Sequence, residues 1–179
     1  MESQPNLNVE RKPTSHIMKG LIISLILIVI SIVGNFLGPK QAQTAGYCSY
    51  AILFIGIIWA CINYGKQMNA RVTFGNVFGH GFKTSAVITV IVVIFSVIFF
   101  LIFPDIKDKA LDMAREEMEK GGKMTDEQIS TAMNFVQKSF MIFVVGGTVF
   151  FYLFIGVIAS LIGAGVTKKE PPTPFERQA

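Results

Sequence analysis

Four apolar blocks constrain this chain more than any other feature. They run about 17–37, 47–64, 82–103 and 140–166, and scarcely a charge interrupts them. Roughly 20 consecutive apolar residues, wound as a helix, match the hydrocarbon core of a bilayer. A soluble amphipathic helix keeps a polar face at period 3.6, and a half-buried strand alternates. These blocks do neither, so no face is left for water. Block 82–103 is rich in Val, Ile and Phe, a strand-like composition in water. In lipid each backbone group must be satisfied within its own segment, and helix wins there too. The sequence therefore predicts an all-α, integral membrane four-helix bundle, with the membrane domain over 17–169. At 179 residues and 51% hydrophobic content, the chain fits one such domain.

The connections carry their own signals. Residues 1–16 are polar with Pro5 and Pro13, and are expected to form a disordered cytoplasmic arm. Block one exceeds a signal-peptide core of about 7–15 residues and reads as a retained signal-anchor. Gly38-Pro39 should end it, leaving a loop over 38–46. Tyr47 and Tyr64 frame block two as interfacial aromatics. Phe74, Phe78 and Phe82 then recur every four residues, interleaved with Gly75, Gly79 and Gly81. On a helix they make an aromatic stripe beside a small-residue groove, an interfacial lead-in to span three or an in-line extension of it. Residues 170–179, with Pro171, Pro172 and Pro174, read as a Pro-rich cytoplasmic tail.

Residues 104–139 are the only long charged stretch, and their pattern predicts a helical hairpin between spans three and four. Ile106, Ala110, Met113 and Ala114, with Leu111 and Met118, share one helical face. Asp105-Lys109 and Glu116-Lys120 are i,i+4 pairs in the favourable order. Gly121-Gly122 stops this arm, and Thr125-x-x-Gln128 resembles a capping box. Ile129, Ala132, Met133, Val136 and Phe140 form the next stripe, running into block four. The second arm is expected to continue into that span.

Charge orients the bundle. Arg11, Lys12, Lys19, Lys66, Arg71, Lys83, Lys168, Lys169 and Arg177 fall on one side, most of them close to span ends. Lys40 and six hairpin bases fall on the other, offset by eight acids. The positive-inside rule favours both termini in the cytoplasm and an extracytoplasmic hairpin. Cys48 is then expected near the outer surface and Cys61 near the inner one. Thirteen residues of helix hold them about 20 Å apart, too far for a disulfide.

Marks of chemistry are sparse. No block has an acid, base or histidine near its middle, where carriers usually keep one. Gly146-Gly147 is a weak point in block four without a matching break elsewhere. His16 and His80 are both expected at the cytoplasmic face, where they can meet, but without a partnered acid they read as interfacial polar residues. Asp108, Asp112, Glu116 and Glu119 line one hairpin face, a solvated face rather than a divalent-cation ladder. No catalytic, cofactor or metal residue is assigned, and no cofactor is expected. No aromatic-basic or zinc pattern points to nucleic acid despite the net charge of +4. Gly56-x-x-x-Ala60, Gly75-x-x-x-Gly79 and Gly156-x-x-x-Ser160 allow close helix approach, within the monomer or at a homodimer face. The expected partners are the lipid bilayer, a second copy, or another membrane or periplasmic protein. The expected function is non-enzymatic, structural or protein-binding; a small transporter or channel-like permeability factor acting as an oligomer is the alternative.

The order of these features resembles a known family, the small membrane proteins catalogued as domain of unknown function 4199. The likeness covers about residues 17 to 170. Gly46-Tyr47 opens span two, and Val72-Thr73-Phe74-Gly75-Asn76-Val77-Phe78-Gly79-His80-Gly81-Phe82 opens span three in a similar way. A charged hairpin begins at Pro104, and the close runs from Ala159-Ser160-Leu161-Ile162 to Thr167-Lys168-Lys169. The resemblance implies a bacterial inner-membrane protein. It implies no catalytic residues.

Overall fold

The computed structural model describes residues 14–170, so the expected arm (apart from Thr14 to His16) and tail (apart from Glu170) lie outside the described residues. Among those described there are six helices and no strand. They are α1 (His16–Leu37), α2 (Pro39–Gln67), α3 (Phe74–Ile102), α4 (Pro104–Lys120), α5 (Asp126–Lys138) and α6 (Phe140–Val166). The helices α1, α2, α3 and α6 are each long and apolar enough to cross a membrane.

These four pack side by side. Around the bundle the order is α1, α2, α6, α3, with α2 and α3 also meeting across the short diagonal. The core between them contains Ile23, Leu27, Leu53, Ile57, Val77, Ile88 and Ala159. The outside is equally apolar. Leu25, Ile55, Leu101, Ile142 and Phe150 are all at least 63% exposed. Water would penalise such a surface heavily, whereas hydrocarbon does not distinguish it from the core. The composition, the helix lengths and this apolar exterior together make the chain an integral membrane protein.

Two spans start earlier than the sequence suggests. The loop expected over 38–46 is helical, because α2 begins at Pro39. Gly38 adopts φ 123, open to glycine, and turns the chain in one residue. Pro39 then occupies the first helical position, where its missing N–H costs nothing. The proline that ends one helix therefore begins the next. Likewise α3 starts at Phe74, capped by the Thr73 hydroxyl, which accepts from Asn76 N at 3.2 Å. The aromatic lead-in is part of the span itself, with Phe78 and Phe82 stacked at 6.1 Å. The Gly146-Gly147 weak point does not break α6.

At the end of the bundle where α1 turns into α2, α4 and α5 fold against each other. Leu111 and Ile129 are the buried side chains of the two arms. The partly buried residues follow the expected faces: Ile106, Ala110, Met113, Ala114 and Met118 on α4, and Ala132, Met133 and Val136 on α5. Gly122, at φ 61, makes the turn. The capping box at Thr125 and Gln128 is formed in both directions. Of the two expected ion pairs, Glu116–Lys120 forms at 3.1 Å; Asp105–Lys109 does not, and Arg115–Glu119 at 3.0 Å is found instead. All these pairs are exposed and contribute little. The second arm is not continuous with its span. The helix is interrupted at Ser139, φ −103 and ψ 11, as α3 and α4 are at Phe103.

Replacing Thr125 by Ala removes the hydroxyl that accepts from Gln128 N. A loss of about 1 kcal/mol is expected, typical of an N-cap. Amide exchange should quicken at Gln128 and Ile129 and stay unchanged in α1, α2, α3 and α6.

Candidate functional site

The opposite end of the bundle, where α1 and α3 begin, holds a buried cluster of polar side chains. Its frame is set locally. Ser15 caps α1, its hydroxyl accepting from Ile17 N at 3.1 Å and Met18 N at 3.4 Å. Thr14 is tied to the end of α2: its N–H donates to Gln67 Oε1 at 2.7 Å, and Gln67 Nε2 donates to its hydroxyl at 2.9 Å. The start of α1 is thereby fixed against the end of α2, seven residues before α3 begins.

Lys19 lies one turn into α1 and is only 1% exposed. A helical side chain leans towards the N-terminus of its own helix, which carries the ammonium back towards this end. Its Nζ donates to Ala60 O at 3.2 Å and meets His80 Nε2 at 3.3 Å. The Tyr64 ring stacks flat on His80, centroids 4.2 Å apart and planes 10° apart. Lys19 Nζ stands 5.9 Å from the same tyrosine ring. His16 meets His80 edge-on at 6.1 Å. With the ammonium donating to Nε2, the proton of neutral His80 is assigned to Nδ1.

No carboxylate offsets this charge. Residues 14–103 and 139–169 contain neither Asp nor Glu. Buried charges are ordinarily paired, and an ionisable group within a span is a functional candidate by default. In front of His80 the surface opens into a cavity of about 400 Å³, lined by Thr14, Ser15, His16, Tyr64, Gly75, Asn76, Gly79, His80 and Lys83. Cys61 is buried nearby, its thiol donating to Val77 O at 3.7 Å, a packed thiol rather than an accessible nucleophile. Among the described residues no group of three His, Cys, Asp or Glu can hold a metal ion.

The structure thus brings His16 and His80 together, as their placement at one face allows. It also moves Lys19 from the rim, where the sequence suggests a flanking base, to the interior. Tyr64 is likewise part of the cluster rather than a belt residue. The available signal was the Phe74 to Phe82 groove: Gly75 and Gly79 face the cavity, and a Cβ at Gly79 would meet nothing within 4 Å. The other small-residue pairs lie inside the monomer. Gly56 abuts Ile23, Gly156 abuts Ser85, and Ala60 and Ser160 are fully buried.

A second cleft of about 470 Å³ lies between the hairpin arms, lined by Asp108, Leu111, Asp112, Arg115, Ser130, Met133, Asn134 and Gln137. The carboxylate ladder is split there. Glu116 and Glu119 turn to Lys120 and Arg115, leaving Asp108 and Asp112 on the cleft.

Neither a curated protein nor a solved structure matches the chain. A family model described as a protein of unknown function (DUF4199) matches residues 19–169, which include the four spans (but for the first turn of α1), the hairpin and Lys19 and His80 of the cluster. The chain belongs to this family, DUF4199.

Proposed function

We propose that this protein is a non-enzymatic component of the bacterial inner membrane, with both ends in the cytoplasm and a helical hairpin on the outer side that binds another protein. The orientation draws on the bases gathered where α1 and α3 begin and α2 and α6 end. The observation that carries the binding role is the hairpin cleft. Asp108, Asp112, Asn134 and Gln137 line it, and none of their side chains has a hydrogen-bond partner among the described residues. Such a cleft suits a basic or amide-rich segment of a membrane or periplasmic partner. A photo-crosslinking side chain at Asn134 or Gln137 in intact cells should give a discrete adduct. Changing Asp108 and Asp112 to Lys should abolish it. Adducts that survive both charge reversals would contradict the reading.

The alternative, an oligomeric permeability factor, draws on a void of about 170 Å³ inside the bundle. Ser31, Asn35, Ser49, Tyr50, Ser96, Thr148 and Tyr152 contribute polar groups to it. Along the helices, buried Ile23, Leu53, Ile57 and Ile88 lie between it and the Lys19 cluster, together with buried Ser24, Thr84, Ser85 and Thr89. Solute flux through liposomes containing the protein would favour this alternative.

A further inference from the structure

We propose that the cavity in front of His80 binds a phosphate group, carried by a lipid headgroup or free in solution, with Lys83, His16, His80 and Asn76 as its donors and the buried Lys19 ammonium behind His80 as an uncompensated positive charge. The first ground is charge. Lys19 is buried with no carboxylate in any spanning helix, and Lys83 and His16 add positive or donor groups on the cavity wall. Among the described residues the one acid at this end is Glu170, which lines a separate cleft with Lys66 and Arg71. The counter-charge for the cluster is thus missing from the described protein, and an anion supplies it.

The second ground is hydrogen bonding. Lys19 occupies Nε2 of His80, so the donor of that ring is Nδ1. Among the described residues the only buried side-chain polar atom without a partner is Ser160 Oγ. Nδ1 has no partner either, so it reaches accessible space, and the space this ring lines is the cavity. Asn76 adds an amide beside it.

The third ground is shape and level. Gly75 and Gly79 leave the α3 wall bare, admitting a group close to the backbone. The first turns of α1 and α3 carry no acid, so their dipoles favour an anion as well. The site lies where the apolar spans begin, at the depth of lipid phosphates. A carboxylate ligand would use fewer donors than Lys83, His16, His80 Nδ1 and the Asn76 amide offer; a tetrahedral phosphate uses them all.

The test uses the full chain purified in a maltoside detergent. Thermal shift is followed against inorganic phosphate, phosphatidylglycerol and, as a phosphate-free control, diacylglycerol. Stabilisation by phosphatidylglycerol alone identifies a headgroup site. Stabilisation by inorganic phosphate as well identifies a site for the free ion. Either supports the proposal. Gly79→Phe should fill the cavity without disturbing packing, and Lys83→Gln should remove one charged hydrogen bond. Lys83→Gln should weaken binding roughly tenfold or more, as expected for one charge-assisted contact, and Gly79→Phe should weaken it at least as much by occupying the space. The unliganded melting temperature of Gly79→Phe serves as the folding control and should stay at or above that of the parent. No shift with either phosphate compound, or equal binding by the parent and Gly79→Phe, would overturn the proposal. A diacylglycerol shift equal to that of phosphatidylglycerol would do the same.

Discussion

Gly156→Leu is expected to abolish the folded bundle, as the most damaging single change the structure identifies. At Gly156 a Cβ would stand 2.6 Å from Ser85 Cβ and closer still to its hydroxyl. Both lie at the junction of α3 and α6, the most extensive helix contact in the molecule. Ser85 also donates to Tyr152 O at 3.3 Å, one turn before Gly156, so it cannot swing away without losing that bond. The backbones themselves must separate. Overpacking of this kind typically costs about 1–3 kcal/mol for a few methylenes, and a leucine side chain between two helix backbones lies at or beyond the upper end. The measurement is the yield of monodisperse protein in detergent and its melting temperature. Gly146→Ala and Gly147→Ala are the matched controls: no atom lies within 4 Å of a Cβ at either position. Replacing glycine there should raise helix stability slightly.

Ile129→Ala is expected to unfold the hairpin while leaving the four spans intact. Ile129 is 3% exposed and packs the second arm on the first, where Leu111 is its buried counterpart. Ile→Ala in a core removes about 2–5 kcal/mol. Arms of 17 and 13 residues have little helix stability of their own once undocked, since isolated helices of that length are marginal in water. Amide exchange over 104–138 should therefore approach that of an open chain. Protection in α1, α2, α3 and α6 should be retained. The photo-crosslink at Asn134 should be lost in parallel, because the cleft exists only when the arms are docked.

Much of the architecture was legible in residue order. Block length reveals the four spans, though not where α2 and α3 begin, because a long apolar run in lipid satisfies its backbone as a helix. Leu111, Ile129 and the Thr125 cap could be read from period and spacing. What escaped was longer-ranged. Gly38-Pro39 is a stop signal for α1, and only the geometry of the turn shows that the same proline starts α2. Lys19 looks like other span-flanking bases. Its burial depends on Ala60 and His80, 41 and 61 residues away, meeting it across three helices. Nor does sequence show that Gly75 and Gly79 border a cavity while Gly156 borders a serine. The spacing is the same and only the neighbour differs.

The proposed orientation places the hairpin outside and both ends of the bundle's chain within. The native cysteines report on it poorly. Cys61 is buried, and Cys48 is exposed about 14 Å along α2 from Pro39, on the apolar exterior. With both cysteines replaced by alanine, single cysteines are placed at Lys123, in the exposed hairpin turn, and at Glu170, exposed just beyond α6. Intact cells are treated with a membrane-impermeant maleimide, before and after permeabilisation. Lys123→Cys is expected to label in intact cells and Glu170→Cys only after permeabilisation. The reverse pattern would contradict that orientation.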